Sequence, residues 1–278
     1  LARVYVIPSE SMEPTLLGCT GCGITNDRIV AITGGAGALG SALAAHLVGQ
    51  GYRVALFDTE LVVVPPPSPA LEAMPTLVVP ALAGIAKQLG GFDRISVGFP
   101  GVVSSGVIRT APNLGTKAWA GFDLGNALQG HLGKPVRMLN DAQVQGLGVI
   151  TGRGLECVIT LGTGFGFALY QDGRLAPHLE MGQHPARKEM TYDEYVGVKA
   201  LERVGRKHWR RRVERVLDQL RVLLNFDTLY IGGGDAQLID FEVASDVRIV
   251  SNDAGITGGV KLWDPRLDDV FILSSVPA

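Results

Sequence analysis

The stretch from Leu139 to Gly166 sets the first limit on what this chain can become. One apolar run, Pro135-Val136-Arg137-Met138-Leu139, ends on Asn140 and Asp141, and a second, Val158-Ile159-Thr160-Leu161, runs into Gly162-Thr163-Gly164-Phe165-Gly166. Short apolar runs bounded by turn residues read as buried strands. Residues at the end of such a strand lie at the mouth of an α/β sheet, where ligands bind. The glycines let backbone N–H groups approach an anion closely, and Thr163 adds a hydroxyl. A carboxylate on one strand and an anion cradle after the next suit phosphoryl transfer to an alcohol, since one takes the proton and the other holds the phosphate.

Composition narrows the class. A chain of 278 residues, 46% hydrophobic and 19% charged, can bury one large core or two smaller ones. A net charge of −2 gives no electrostatic case for a nucleic-acid partner. Three cysteines do not make a disulfide framework, and Cys19 and Cys22 form a C-x-x-C without a second thiolate pair, so no metal site is expected. No apolar run reaches membrane-spanning length and no leader pattern opens the chain, which leads us to expect a soluble, cytoplasmic protein with no membrane partner.

The remaining pattern alternates strands and helices. A helix over 70–89 is expected to be interrupted or kinked by Pro75 and Pro80. A strand over 94–99 ends at Pro100-Gly101, and a hairpin follows, turning at Ser104-Ser105-Gly106. Helices are expected over 122–132 and from Gln143, and a second hairpin turns at Gln171-Asp172-Gly173. Thr191 and Glu194 form a capping box for the next helix. Residues 202–224 form a basic amphipathic helix, including Arg210-Arg211-Arg212. A polyanion guide is one reading of it; a solvated face laced by Glu202, Glu214 and Asp218 is the one preferred. Strands over 228–231 and 248–250 and a glycine-broken helix to Trp263 complete the order, and 264–278 carry no usable pattern.

The beginning differs from the rest. Pro8-Ser9-Glu10-Ser11-Met12-Glu13-Pro14-Thr15-Leu16 resembles the nucleophile segment of type I signal peptidases, in which the serine matching Ser11 attacks a peptide bond. The lysine that activates it there has no counterpart, so a surface turn is the preferred reading. Residues 28–58 form a strand, a turn with Gly34 and Gly35, an apolar helix, and a second strand ending in Asp58. This resembles the dinucleotide-binding unit of short-chain dehydrogenases, which implies NAD(P) as a second-ranked cofactor.

From about residue 60 to 263 the motifs fall into one order: Gly98-Phe99-Pro100-Gly101, Thr110-Ala111-Pro112-Asn113-Leu114, Leu139-Asn140-Asp141-Ala142, Leu161-Gly162-Thr163-Gly164-Phe165-Gly166, His178-Leu179-Glu180, His184-Pro185, Tyr192-Asp193-Glu194-Tyr195 and Tyr230-Ile231-Gly232-Gly233-Gly234. This region resembles the ROK-family sugar kinases, nearest the polyphosphate/ATP glucokinase branch. The resemblance implies an α/β, ribonuclease-H-like actin/hexokinase-type kinase fold, here with an atypical N-terminal βαβ unit. It implies that Asp141 is the base for a sugar 6-hydroxyl and that Asn113, Asn140, Glu180, His184 and Gly98 contact the sugar. It also implies that Gly162, Thr163, Gly164 and Gly166 hold the donor phosphate, that Gly232, Gly233 and Gly234 border the donor, and that Gly34 and Gly35 echo a phosphate loop. ATP or polyphosphate with Mg²⁺ would be the donor, and a homodimer is usual in that family.

The sequence departs from that pattern at Gln183, where a histidine is usual, and at its start, where the family's Asp-x-Gly-Gly-Thr loop is replaced. Impaired phosphate positioning follows from the second departure. The expected organisation is a signal-peptidase-like segment (1–27), a βαβ unit (28–58), a small kinase lobe (59–150) and a large kinase lobe (151–278). The expected function is glucose phosphorylation; a dehydrogenase-type oxidoreductase and a catalytically dead kinase scaffold are the alternatives.

Overall fold

Two sheets hold two central helices between them. The structure, a computed structural model, describes residues 2–7, 28–33, 75–88, 92–112, 114–251 and 254–272. Cys19 and Cys22, Ser11, the loop residues Gly34 and Gly35, Asp58, and Asn113 lie outside the described residues.

The first sheet is wholly parallel. Strands β1 (Ala2–Ile7) and β2 (Arg28–Thr33) pair with each other, and β1 also pairs with β3 (Phe92–Phe99). Helix α1 (Pro75–Gln88) precedes β3. It is described from Pro75, and residues 70–74 of the expected helix lie outside the described residues. Of the two outcomes expected at Pro80, an interruption or a kink, the interruption does not occur; the helix continues through it, with Pro80 exposed. After β3 comes the short hairpin β4 (Val103–Ser104) and β5 (Val107–Ile108), with Ser105 and Gly106 both at positive φ in its turn. Helix α2 (Thr116–Trp119) and helix α3 (Leu124–Leu132) follow, α3 being capped by Asp123. Strand β6 (Val136–Asn140) completes the order β2-β1-β3-β6. Val97, Phe99, Trp119, Leu124 and Leu128 form the core of this half.

The second sheet is mixed. Helix α4 (Asp141–Val149) leads to β7 (Leu155–Leu161), which pairs antiparallel with β8 (Phe165–Gln171), and β9 (Arg174–Leu175) closes that edge. A small hairpin, β10 (Pro185–Arg187) and β11 (Met190–Thr191), leads into α5 (Tyr192–Val196) and the long α6 (Val198–Leu224), which is kinked at Gly205, where φ is 72° and ψ is 155°. Thr191 and Glu194 form the expected capping box on α5. Strands β12 (Thr228–Gly232) and β13 (Val247–Ile249) add to β7 in parallel, giving the order β13-β12-β7-β8-β9. Alternation along the strands separates two cores, as the two-residue period requires. Cys157, Ile159, Leu161, Leu229 and Ile231 pack with Trp209, Val213 and Leu220 of α6. Val158, Ala168, Tyr170 and Tyr230 pack on the opposite face with Ala142, Val144 and Leu147 of α4.

Helix α4 meets α7 (Ala254–Lys261) through two glycines. A Cβ at Gly258 would stand 1.7 Å from the Val144 carbonyl oxygen, and one at Gly148 would stand 1.9 Å from that of Ala254. Ser96 of β3 donates to the Gly259 carbonyl at 2.6 Å and accepts from the Trp263 indole at 2.8 Å, so the first sheet is tied to the end of α7. The segment after 263, patternless in sequence, contains helix α8 (Asp268–Ile272); Arg137 of β6 holds it through Asp268 at 2.5 Å.

Candidate active site

Asp141 stands where strand β6 becomes helix α4. Asn140 makes that junction: its carboxamide oxygen accepts from the Ala142 amide at 3.0 Å, and the Gln143 side chain accepts from the Asn140 backbone N–H at 3.2 Å. The helix therefore starts at Asp141, two residues before the expected start at Gln143, because Asn140 is the cap. The Asn140 side-chain nitrogen donates to the carbonyls of Phe99 (3.3 Å) and Gly101 (3.1 Å). Both amide hydrogens are thus used to bind the ends of β3 and β6 together, and what Asn140 can offer a ligand is its oxygen.

Across from Asp141 lies the turn joining β7 to β8. Asp141, Thr160, Thr163, Gly164, Gly166 and Glu180 line one small cleft, together with Pro100, Gly101, Gln183 and Asp193. The carboxylate and the glycine turn belong to different sheets, β6 to the first and β7 and β8 to the second. They are consecutive in sequence but not neighbours within one sheet, and the cleft is the seam between the two sheets.

The glycines of the turn do different things. Gly162 donates its N–H to the Gly164 carbonyl at 3.2 Å and does not line the cleft, so that amide is held inside the turn. A Cβ at Gly164 would stand 2.7 Å from Asp193 Oδ1. Gly166 lies within β8 opposite Thr160, and a Cβ there would stand 2.1 Å from Thr160 Oγ1, so its bareness serves packing. Among the described residues the Thr163 hydroxyl has no hydrogen-bond partner, which leaves it available as a donor beside Gly164.

Asp193 organises this side of the cleft, and sequence reasoning did not assign it. From the first turn of α5 it accepts from the Phe165 backbone N–H at 2.6 Å and from the Gln183 side chain at 2.7 Å. Its motif, Tyr192-Asp193-Glu194-Tyr195, was visible; its reach of 28 residues back to the turn was not. Burial raises the Asp193 carboxyl above its usual pKa, opposed by the Phe165 amide, and Glu180 raises it further.

Burial likewise pushes Asp141 up to about 6, opposed by the Ala142 amide and assisted by Glu180. A carboxylate with that value near neutral pH is matched to proton abstraction. Behind Glu180 lies His178, also unassigned from sequence, with Nε2 3.6 Å from Glu180 Oε2. Neither ring nitrogen of His178 nor Glu180 Oε2 has a hydrogen-bond partner, although all three are buried. Such orphaned groups beside a cleft await a partner.

Other expected contacts are not brought into the cleft. His184 ends the 3₁₀ turn Met181–Gln183 and is exposed; its Nδ1 lies 3.0 Å from its neighbour's carbonyl, and Gln183 occupies the cleft instead. Gly98 is buried inside β3 opposite Leu139, whereas Pro100 and Gly101 reach the cleft. Gly232, Gly233 and Gly234 do not line it either. A Cβ at Gly233 would stand 2.1 Å from the Leu161 carbonyl oxygen, so this glycine permits close passage beside β7.

Comparison with known proteins agrees with this geometry. The ROK family's sequence model matches residues 53–185. The chain is 31% identical over 201 residues to the polyphosphate glucokinase of Mycobacterium tuberculosis (strain CDC 1551 / Oshkosh), covering 67% of this chain and 76% of that one. It is 30% identical over 203 residues to the polyphosphate glucokinase of Mycobacterium leprae (strain TN), covering 67% of this chain and 62% of that one. The crystal structure of the inorganic polyphosphate/ATP-glucomannokinase of Arthrobacter sp. strain KM superposes with a TM-score of 0.62 at 27% identity, covering 69% of this chain and 85% of that one. A stretch of 30 residues, 11% of this chain, is 67% identical to a Mycobacterium leprae protein named "Probable signal peptidase I" and covers 10% of it. That short match accords with the resemblance of the opening segment, while two thirds of the chain aligns with sugar kinases and folds as they do. By sequence, by its α/β kinase fold and by the carboxylate and glycine turn that face each other across its cleft, this chain belongs to the ROK family.

Proposed function

We propose that the chain transfers a phosphoryl group from ATP or inorganic polyphosphate to the 6-hydroxyl of glucose. One observation carries the reading: the Asp141 carboxylate, pushed up to about 6, shares a cleft with the Thr163–Gly164 turn. Asp141 takes the hydroxyl proton as the oxygen attacks phosphorus. Glu180 and the Asn140 oxygen hold sugar hydroxyls, and His178 steadies Glu180 from behind. Thr163 donates to the donor phosphate, and Asp193 keeps the turn that carries it in position. Positioning of this kind supplies most of the acceleration in phosphoryl transfer.

The cleft is lined by Asp141, Glu180 and Asp193, with no lysine or arginine among the described residues that line it. Anionic donor phosphates would be repelled there unless accompanied by a cation. Among the described residues no three carboxylates, histidines or cysteines stand close enough to hold a metal ion. Mg²⁺ therefore fits as an ion carried mainly by the donor's phosphates, where it would neutralise their charge. Homodimeric assembly and a cytoplasmic location accompany this reading; among the described residues no helix is long and apolar enough to cross a membrane.

A coupled assay for glucose 6-phosphate, run with ATP and then with polyphosphate, tests the proposal. We expect turnover with at least one donor and its loss in Asp141→Asn. Absence of turnover with both donors would remove the activity and leave a sugar-kinase fold without catalysis.

A further inference from the structure

A second concavity lies on the other side of α5, in a groove of about 560 Å³ between α6 and the β10–β11 hairpin. Arg187 and Lys188 line it from the hairpin, and Arg211, Arg212 and Arg215 line it from α6; no carboxylate does. Helix α5 turns Asp193 toward the cleft and Tyr195 toward this groove, so one short helix is flanked by both concavities.

The charge here is selectively uncompensated. Three other arginines of α6 have carboxylate partners, Arg206 and Arg210 with Asp240 and Arg221 with Asp246, while Arg203 donates to the Glu194 carbonyl. None of the five basic residues of the groove forms an ion pair among the described residues. They are not all free to splay apart. Arg215 donates to the Tyr195 hydroxyl at 2.8 Å; Arg212 donates to the Tyr195 carbonyl at 3.1 Å and lies 4.8 Å over its ring. Burial would raise the pKa of the Tyr195 hydroxyl, yet Arg187 and Arg215 beside it hold it below its usual value. Like charges fixed in one concavity repel until an anion joins them, and guanidinium groups match phosphate oxygens in geometry.

We propose that this groove docks the chain of an inorganic polyphosphate, away from the phosphoryl group being transferred. This rests on the function proposed above and extends it. ATP, whose three phosphates are engaged at the cleft, does not need the groove, whereas a long chain can occupy both places.

The test is a Lys188→Ala/Arg211→Ala double variant, because neither side chain makes a hydrogen bond within the described residues. Its KM for long-chain polyphosphate should rise on the order of tenfold, while its kcat and KM with ATP stay at the wild-type values. Fluorescence anisotropy of labelled polyphosphate should show the same loss of affinity, and added salt should weaken wild-type binding. Unchanged polyphosphate KM and binding in the variant would overturn the proposal. So would equally tight binding of a single-stranded oligonucleotide of matched charge, which would make the groove a general anion face. If neither donor gives turnover, the function proposed above falls, and the anisotropy comparison still decides the groove by itself.

Discussion

Asp141 is held in a form that its surroundings oppose. Its folded-state pKa of about 6 lies above the ordinary 3.8, so between those values the native state binds a proton that the unfolded chain has released. Stability therefore falls as pH rises through that window, and above it the whole penalty, at most about 3 kcal/mol, is present. Asp141→Asn should raise the unfolding free energy toward that amount at pH 8 and leave it unchanged near pH 3, as read by urea titration. The same substitution should cut turnover by roughly 10²- to 10⁴-fold. In the wild type, kcat/KM should fall about tenfold per pH unit below about 6, because protonation removes the base. Asp193 is raised by burial as well, but its carboxylate also satisfies a backbone amide of the turn. Asp193→Ala should cost about 1–3 kcal/mol and raise the KM for the donor more than that for glucose; steady-state kinetics with each substrate varied would show the split. At this scale the sequence named Asp141, Thr163 and Glu180 through their neighbours. It could not name Asp193 or His178 as contributors, because their partners come from remote turns.

Helix α4 links catalysis to packing. Its N-terminus carries Asp141, and its body meets α7 where Gly148 and Gly258 allow backbone contact. Gly258→Ala would place a methyl group 1.7 Å from the Val144 carbonyl oxygen, so the helices must separate. Overpacking of this kind should cost about 3 kcal/mol and lower kcat, because movement of α4 moves Asp141. Denaturant midpoints and turnover, measured on the same preparation, check both. Element positions were largely legible: the capping box at Thr191, the turn at Asp172-Gly173 and the long basic helix follow from local rules. The departures were local as well. Asn140 took the cap and moved the start of α4 back to Asp141, and α1 continues through Pro80 without interruption.

Across the whole molecule the cleft is a seam. The first sheet contributes Asn140, with Asp141 following it, and the second contributes Thr160, the turn and Gly166, while Glu180 and Asp193 come from the segments that follow. A sugar gripped from both sides links the halves, so glucose should stabilise the native state. At a concentration of 100 times its Kd this amounts to about 2.7 kcal/mol, or roughly 5–10 °C in Tm. A thermal shift run with glucose, and with a hexose lacking the 6-hydroxyl as control for binding without reaction, reads it. No shift with glucose would mean that the sugar contacts do not form.

By itself the sequence determined the strands, their terminal glycines and carboxylates, and the helix caps, because each depends on residues a few positions apart. The tertiary structure alone decided that β6 and β7 enter different sheets, that Gln183 lines the cleft while His184 does not, and that Asp193 reaches Phe165. Those outcomes depend on burying apolar faces across long stretches of chain, such as α4 between the two sheets, and no local spacing encodes which faces will meet.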